Sequence, residues 1–492
     1  MEKYILALDQ GTTSSRSILF DKQGKPVAVS QKEFTQYFPK PGWVEHDAQE
    51  IWETQIQTAK EVIEKADISP KQVVGIGITN QRETTVLWEK DTGRPVYHAI
   101  VWQCRRTTDI CERMKKEGLA DIFHQKTGLL LDPYFSGTKI KWLLENIDGL
   151  KSRAEKGEIL FGTIDSWLIY NLTGVHATDP SNASRTLLYN IRDNNWDKEL
   201  LRIMGVPSPM LPRIVRSSGE IAKTKKDIFG IEIPVSGVAG DQQSALFGQL
   251  CFSEGMIKIT YGTGSFTLLN TGNTPVFSKN NLLTTVAWKI GDEVNYALEG
   301  SVFIAGAVVQ WLRDKLRIIN KASETESMAK SVKDTGGVYF IPAFVGLGAP
   351  HWEPDVRGTI VGLTRGTERE HIVRAALESI AYQNRDLIEA MKKDYRKELK
   401  MIKADGGAAL NSFLMQFQAD ILNIPVVVPQ INETTALGAA YLSGLGVGFW
   451  EKKEELKEYW TEQAHYHPQM TKESREEKIS KWERALKAAK EF

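Results

Sequence analysis

One arrangement narrows the folds open to this chain more than any other. Residues 6–16 read LALDQGTTSSR, an apolar run that ends on Asp9 and turns at once through Gly11, Thr12, Thr13, Ser14 and Ser15. Arg16 then opens a second apolar run, RSILFD (16–21). Half a chain later, MIKITYGTGSFTLLN (256–270) repeats the plan of strand, Gly-Thr turn and strand. Mostly apolar strands of this kind belong inside a sheet covered on both faces. Two such hairpins suit two related halves that face one ligand. The division is placed at 249/250, giving segments 1–249 and 250–492.

The pattern between the hairpins is that of an α/β chain. PVAVSQKEF (26–34) reads as a third strand, and QVVGIGITN (72–80) as a strand that ends on polar residues. Between them, Asp47 and Glu50 are spaced as a capping box. Ile51, Trp52, Gln55, Ile56, Ala59, Val62, Ile63 and Ala66 then line one face of the helix that follows. LGAAYLSGLGVGFW (437–450) is glycine-rich and falls short of the ~18 apolar residues of a membrane span, so it reads as a buried helix and a turn. The stretch from EKKEELKEYW onward has the charge spacing of a solvated helix. Lys+Arg and Asp+Glu balance at 62 each, which gives no electrostatic reason to expect nucleic acid or an anionic membrane as partner. Three cysteines without a C-x-x-C pair fit a reducing compartment. With no signal-peptide pattern at the N-terminus, the expected location is the cytoplasm.

The turns carry the chemistry. A tight turn with free N–H groups and hydroxyls is a concave donor site for anions, and glycine lets the backbone approach closely. Thr12, Thr13 and Ser14 can donate to phosphate oxygens, and Arg16 adds a charged donor. Asp9 beside phosphates requires a cation between them, which points to Mg²⁺ bound directly or through water. The same stretch also reads as an ordinary hairpin turn. YGTGSF (261–266) offers equivalent donors, and in DGGAALNSF (405–413) paired glycines precede Asn411, which could bond a base or ribose. NQRE (80–83) sets Arg82 and Glu83 just past a strand end, where α/β proteins bind ligands. GVAGDQQSALFG (237–248) sets Asp241 and Gln242 at a helix entry. Adjacent opposite charges can bracket a polyhydroxy compound, or can be plain surface pairs. His46 reads as structural. No P-loop, zincin or G-x-S-x-G pattern occurs.

Taken in order, DQGTTSSR (9–16), NQRE (80–83), GDQQ (240–243) and YGTGSF (261–266) resemble the FGGY carbohydrate kinases of the actin/hexokinase/Hsp70 ATPase superfamily. YFSGTKIKWLLEN (134–146), GTIVGL (358–363) and HIVRAALE (371–378) extend the resemblance. It implies two actin-like, ribonuclease H-like domains, each a mixed sheet with flanking helices, around an interdomain cleft. It implies ATP as phosphoryl donor with Mg²⁺, and glycerol as acceptor. Thr12, Thr13, Ser14, Arg16, Thr263, Gly306, Gln310, Gly407 and Asn411 match nucleotide-contacting positions of the family. Arg82, Glu83, Tyr134, Asp241 and Gln242 match acceptor contacts, and Trp102 and Phe266 match the apolar walls. Asp241 is the implied general base. Relatives that use dihydroxyacetone, a ketose or gluconate are the alternatives, and a non-enzymatic nucleotide switch is a second one. Family members form dimers and tetramers, so a homodimer is expected. Two regulatory motifs differ here. The glycine loop for fructose 1,6-bisphosphate is replaced by AKTKKDIFGIEIP (222–234), and Asp227 stands where some relatives carry a phosphorylated His. Activation by a phosphocarrier protein is therefore not expected.

Overall fold

The structure, a computed structural model, describes residues 2–491. In chain order its principal strands are β1 (Tyr4–Gln10), β2 (Ser14–Phe20), β3 (Pro26–Glu33), β4 (Val73–Asn80), β5 (Ser218–Lys223), β6 (Pro234–Gly240) and β7 (Met256–Tyr261). They continue with β8 (Ser265–Gly272), β9 (Leu283–Ile290), β10 (Glu293–Val302), β11 (Met401–Asp405), β12 (Val426–Pro429) and β13 (Glu462–Tyr466). All thirteen join one sheet in the order β13-β12-β11-β7-β8-β10-β9-β5-β6-β4-β1-β2-β3.

One five-strand plan occurs twice in that order, as β3-β2-β1-β4-β6 and as β10-β8-β7-β11-β12. In each, three neighbouring strands pair antiparallel (β1-β2-β3 and β7-β8-β10, with β9 intervening in the chain before β10), and β1 and β7 also pair parallel with β4 and β11. The Gly-Thr hairpins occupy equivalent places in the two plans. The halves are not separate sheets, however, because Ser218 of β5 pairs with Ile290 of β9 and makes the sheet continuous. Every residue of β1 is buried, as its apolar run requires.

The helix α1 (Ala48–Lys65) buries Ile51, Gln55, Ala59, Val62 and Ile63 against the N-terminal half of the sheet. Its expected capping box does not form. Asp47 accepts from the Gln49 N–H at 2.8 Å, while Glu50 accepts from the N–H and hydroxyl of Thr35 at 3.1 and 3.0 Å. A loop offering two donors outcompetes the single N–H of the cap. One helix follows the last strand of each plan, α2 (Asp241–Gly248) after β6 and, beyond α3 (Gly306–Asp314), α4 (Arg369–Tyr395) and α5 (Ser412–Leu422), α6 (Thr434–Gly446) after β12.

Although it follows a C-terminal strand, α6 is buried against residues of the N-terminal sheet, with Ala436, Leu437, Ala440 and Tyr441 beside Ile5, Ala7 and Phe20. It crosses α2 where only glycines fit. A Cβ on Gly438 would stand on the carbonyl oxygen of Ser244, and one on Gly248 on that of Thr434.

The charged tail is not one solvated helix. EKKEELKEYW makes a single 3-10 turn (Glu455–Glu458), and β13 follows as an edge strand. The helix begins later, as α7 (Lys472–Glu491), and one of its faces is buried. Trp482 stacks on Tyr382 at 4.9 Å and donates Nε1–H to Asp386 at 2.8 Å. All three cysteines are free and buried, and no helix among the described residues is long and apolar enough to cross a membrane.

Candidate active site

In the parallel strands β1, β4 and β6, Gln10, Asn80 and Gly240 stand level in adjacent register. The loops that leave these strands therefore emerge side by side, at the carboxyl edge where open α/β sheets bind ligands. The first is the turn at 11–14, closed by Gly11 N–H donating to the Ser14 carbonyl at 2.9 Å. The N–H groups of Thr12 and Thr13 donate to no protein acceptor among the described residues, so they form an open donor nest. The Ser14 hydroxyl accepts from Gln31 at 3.0 Å, which leaves its own hydrogen to donate. Arg16 closes on Asp9 Oδ2 through Nη2 at 2.6 Å and Nε at 3.2 Å, and reaches Glu433 of the other half through Nη1 at 2.7 Å. Burial alone would weaken its hold on the proton, but Asp9 and Glu433 raise its pKa.

Asp9 suits a Mg²⁺ ion. Its Oδ1 accepts no hydrogen bond from the described residues, and it lies beside the donor nest. No group of three or more metal-ligating side chains occurs among the described residues, so an all-protein cage is not the chemistry on offer. One carboxylate with phosphate oxygens and water is the usual Mg²⁺ donor set.

The second hairpin repeats the device in the other half. Gly262 N–H donates to the Gly264 carbonyl at 2.8 Å, and the N–H groups of Thr263 and Gly264 find no protein acceptor among the described residues. Gly306 packs on this turn. Its N–H donates to Gly262 O at 2.9 Å, and a Cβ there would stand 2.6 Å from that oxygen. Gly406, at φ +86°, also lies against the turn, where a Cβ would strike the Tyr261 carbonyl. Gly407 beside it faces open space, and Gln310 is exposed one turn along α3 from Gly306. Asn411 is more committed than the sequence implies. Its amide accepts from Leu414 N–H at 3.0 Å to cap α5 and donates to Thr325 at 3.2 Å.

Between the turns lies a buried charge cluster. Glu83 sits at φ +62°, a left-handed conformation uncommon for a long side chain. The turn separates Glu83 from its neighbour, leaving 3.8 Å between Arg82 Nε and Glu83 Oε1. Each instead pairs elsewhere. Arg82 makes a fork on Glu299 of β10 (2.5 and 2.9 Å), while its Nε meets Asp241 at 3.0 Å. Glu83 accepts from Arg185 Nε at 2.6 Å, and Arg185 Nη2 reaches Glu299 at 2.9 Å. The side chains of Arg82 and Glu83 are 2% and 1% exposed, whereas Asp241 keeps 32% of its side chain open. Burial would raise the pKa of Glu299, yet Arg185 and Arg82 outweigh it and hold the carboxyl at about 2. At Asp241 burial prevails over the pull of Arg82, and its pKa is raised above the ordinary aspartate value.

The remaining acceptor candidates ring this cluster. The Tyr134 hydroxyl lies 3.5 Å from Arg82 Nη2, and its ring meets Trp102 edge-on at 5.6 Å. Trp102 Nε1–H donates to the Thr12 hydroxyl at 3.0 Å, linking this wall to the phosphate-type turn. Gln242 accepts from the buried Lys258 ammonium at 2.6 Å, which leaves its NH₂ group to donate. Phe266 is half-buried on β8. His46 is structural, as expected. It is held between Gln36 (2.7 Å) and Gln81 (3.5 Å), and burial lowers its pKa to about 3.

Several organising residues escaped the sequence reading. The segment DPSNASRT (179–186) is wholly buried. Asn182 accepts from Asn80 at 3.0 Å, Ser181 Oγ accepts the Gly240 N–H at 2.9 Å, and Arg185 holds Glu83. Lys139 donates to the carbonyls of Pro133, Tyr134 and Phe135 at 2.7, 2.5 and 3.2 Å and so fixes the Tyr134 backbone. Burial lowers its pKa to about 8. Glu299 left one signal, a lone charge inside the apolar run of EVNYALEGSV. The signal of 179–186 was weaker, because a polar run without periodicity reads as a surface loop.

Comparison with known proteins is consistent along the whole chain. Residues 4–248 match the N-terminal domain of the FGGY family of carbohydrate kinases, and residues 257–446 match its C-terminal domain. Glycerol kinase 2 of Thermotoga maritima is 59% identical over 486 residues, covering 98% of both chains. Glycerol kinase of Caldanaerobacter subterraneus subsp. tengcongensis is 60% identical over 491 residues, covering 99% of both. Among solved structures, Plasmodium falciparum glycerol kinase with ADP superposes with a TM-score of 0.95 at 37% identity, over 99% of this chain and 98% of that one. A gluconate kinase from Lactobacillus acidophilus shares the fold at a TM-score of 0.88 and 24% identity, over 100% of this chain and 97% of that one.

Proposed function

From the premise that the chain belongs to the FGGY family of carbohydrate kinases, we propose that it transfers the γ-phosphoryl group of ATP to glycerol, giving sn-glycerol 3-phosphate and ADP. The observation that carries this reading is the level register of Gln10, Asn80 and Gly240, which sets the Thr12–Thr13 nest, the Arg82–Glu83 pair and Asp241 side by side. Relatives named glycerol kinase at about 60% identity over the full length support the choice of acceptor.

In this reading Arg82, through the Nη2 facing Tyr134, donates to a glycerol hydroxyl, and Glu83 accepts from one. The Gln242 NH₂ group donates to another, while Trp102 and Phe266 cover the carbon chain. Asp241 accepts the proton of the attacking hydroxyl as its oxygen bonds to the γ-phosphorus and the bond to the β-phosphate oxygen breaks. The transition state is loose, so alignment and charge neutralisation carry most of the rate. The N–H groups of Thr12, Thr13, Thr263 and Gly264 supply oriented donors for the phosphates, and Arg16 adds charge. Asp9 would hold Mg²⁺, which when bound offsets phosphate charge. Gly306, Gln310, Gly407 and Asn411 line the nucleoside side.

We further place the division between the halves at 249/250, and the protein in the cytoplasm as a homodimer or homotetramer. Asp227 lies exposed in a single helical turn (Lys226–Phe229), and we expect no phosphocarrier activation through it.

The reading is tested by Arg82→Ala. The KM for glycerol should rise at least tenfold with the KM for ATP nearly unchanged, as a lost acceptor contact requires. An effect confined to ATP would refute the assignment.

A further inference from the structure

Glu299 lies on β10, in the half of the chain opposite Arg82 and Arg185, yet both of its oxygens are spent on their guanidiniums. Its side chain is 2% exposed, and those of Arg82 and Arg185 are 2% and 0% exposed. The Arg82 donors are almost used up: Nε on Asp241, Nη1 on Glu299 and Gln243 (3.1 Å), and one Nη2 hydrogen on Glu299. In this cluster two cations face Glu83, Glu299 and Asp241, and the Lys258 ammonium lies one residue beyond, on Gln242. Arg185 retains one unspent group, Nη1, buried without a hydrogen-bond partner among the described residues. An acceptor carrying its own carboxylate would need a cation that this pocket has already neutralised from within. It would also bring a fourth carboxylate beside Glu83, Glu299 and Asp241.

We propose that Glu299, acting through Arg82 and Arg185, is the specificity-determining residue that makes this pocket take neutral three-carbon polyols and reject their carboxylated counterparts. The inference rests on the functional reading above and deepens it. The charge of Glu299 is the element that excludes the anion. Once that charge is removed, the guanidiniums of Arg82 and Arg185 lose the carboxylate they share, and their field favours an anion at the Arg82 Nη2. Discrimination of this kind works by a repulsive element as much as by an attractive one.

The test compares glycerol with D-glycerate, which replaces one CH₂OH by a carboxylate on the same skeleton. In the unaltered enzyme, D-glycerate should inhibit with a Ki about 100-fold or more above the glycerol KM, as like-charge juxtaposition predicts. Competition by glycerate as strong as that of glycerol would overturn the proposal without any variant. In Glu299→Gln the ratio of glycerate Ki to glycerol KM should fall at least tenfold. If both compounds weaken in step, Glu299 is merely a packing partner and the proposal fails. Glu299→Asp keeps the charge and shortens the side chain. It should raise the glycerol KM and leave glycerate excluded, and admission of glycerate by that variant would also overturn the idea. Absence of glycerol turnover in the unaltered enzyme would strike the functional reading instead. Calorimetric binding of the two compounds would still decide the selectivity.

Discussion

In the general-base role proposed for it, Asp241 has to be a carboxylate at working pH and yet basic enough to take a proton. Its surroundings provide for both, because burial raises its pKa while Arg82, 3.0 Å away, lowers it. Asp241→Asn should lose on the order of 10²–10⁴ in kcat, the range for a general base, with little change in nucleotide affinity. Near-normal turnover would remove Asp241 from that role. The pH dependence has a definite sign. Because the deprotonated form is the active one, kcat/KM should fall as pH drops through a value above that of an ordinary aspartate. Arg82→Ala removes the lowering influence, so the acid limb should move to higher pH. A limb that stays put would mean that another group sets it. At this scale the sequence was only half legible. Arg82, Glu83, Asp241 and Gln242 stand in short motifs next to strand ends. Arg185, Glu299 and Lys258 reach the same point from 102, 217 and 16 residues away from their partners. Spacing along the chain carries no trace of a contact made by the fold.

Elements were more legible than their contacts. The apolar run of β1 and the helical stripe of α1 each specify their element locally, and both formed as read. The cap of α1 was not specified locally, because Glu50 found Thr35. The charged tail was misread for a related reason: Trp482, Ala485 and Leu486 dock α7, and a charged sequence does not say which side its few apolar residues will bury. The crossing of α2 and α6 is the contact on which the two halves depend most closely. Gly438→Ala would drive a methyl group into the Ser244 carbonyl, and backbone on both sides leaves no flexible end to yield. We expect a loss of about 1–3 kcal/mol in unfolding free energy, typical of overpacking. The denaturant midpoint would report it, and an unchanged midpoint would show that the helices can part freely.

Across the whole molecule, the repeated five-strand plan puts one turn with open backbone donors on each half, so a nucleotide held by both, as proposed, must span the space between them. Two hairpins half a chain apart were enough to suggest this. That the sheet runs unbroken through Ser218 and Ile290 was not visible, since one paired residue leaves no pattern. Arg16 on Glu433, Arg82 and Arg185 on Glu299, Lys22 on Glu455 and Arg216 on Asp292 tie residues 1–249 to residues 250–492. Movement of the halves about these ties would exclude water, which otherwise competes for the phosphoryl group. In the function proposed here, this arrangement moves a phosphoryl group to a small neutral polyol. The most direct measurement is ADP release from Mg-ATP with glycerol, dihydroxyacetone, xylulose, ribulose or gluconate as acceptor, with the product identified. Turnover with glycerol should be strong, with sn-glycerol 3-phosphate as product and little hydrolysis without an acceptor. Turnover only with a ketose or gluconate, or tight ATP binding with no turnover at all, would contradict the proposed function.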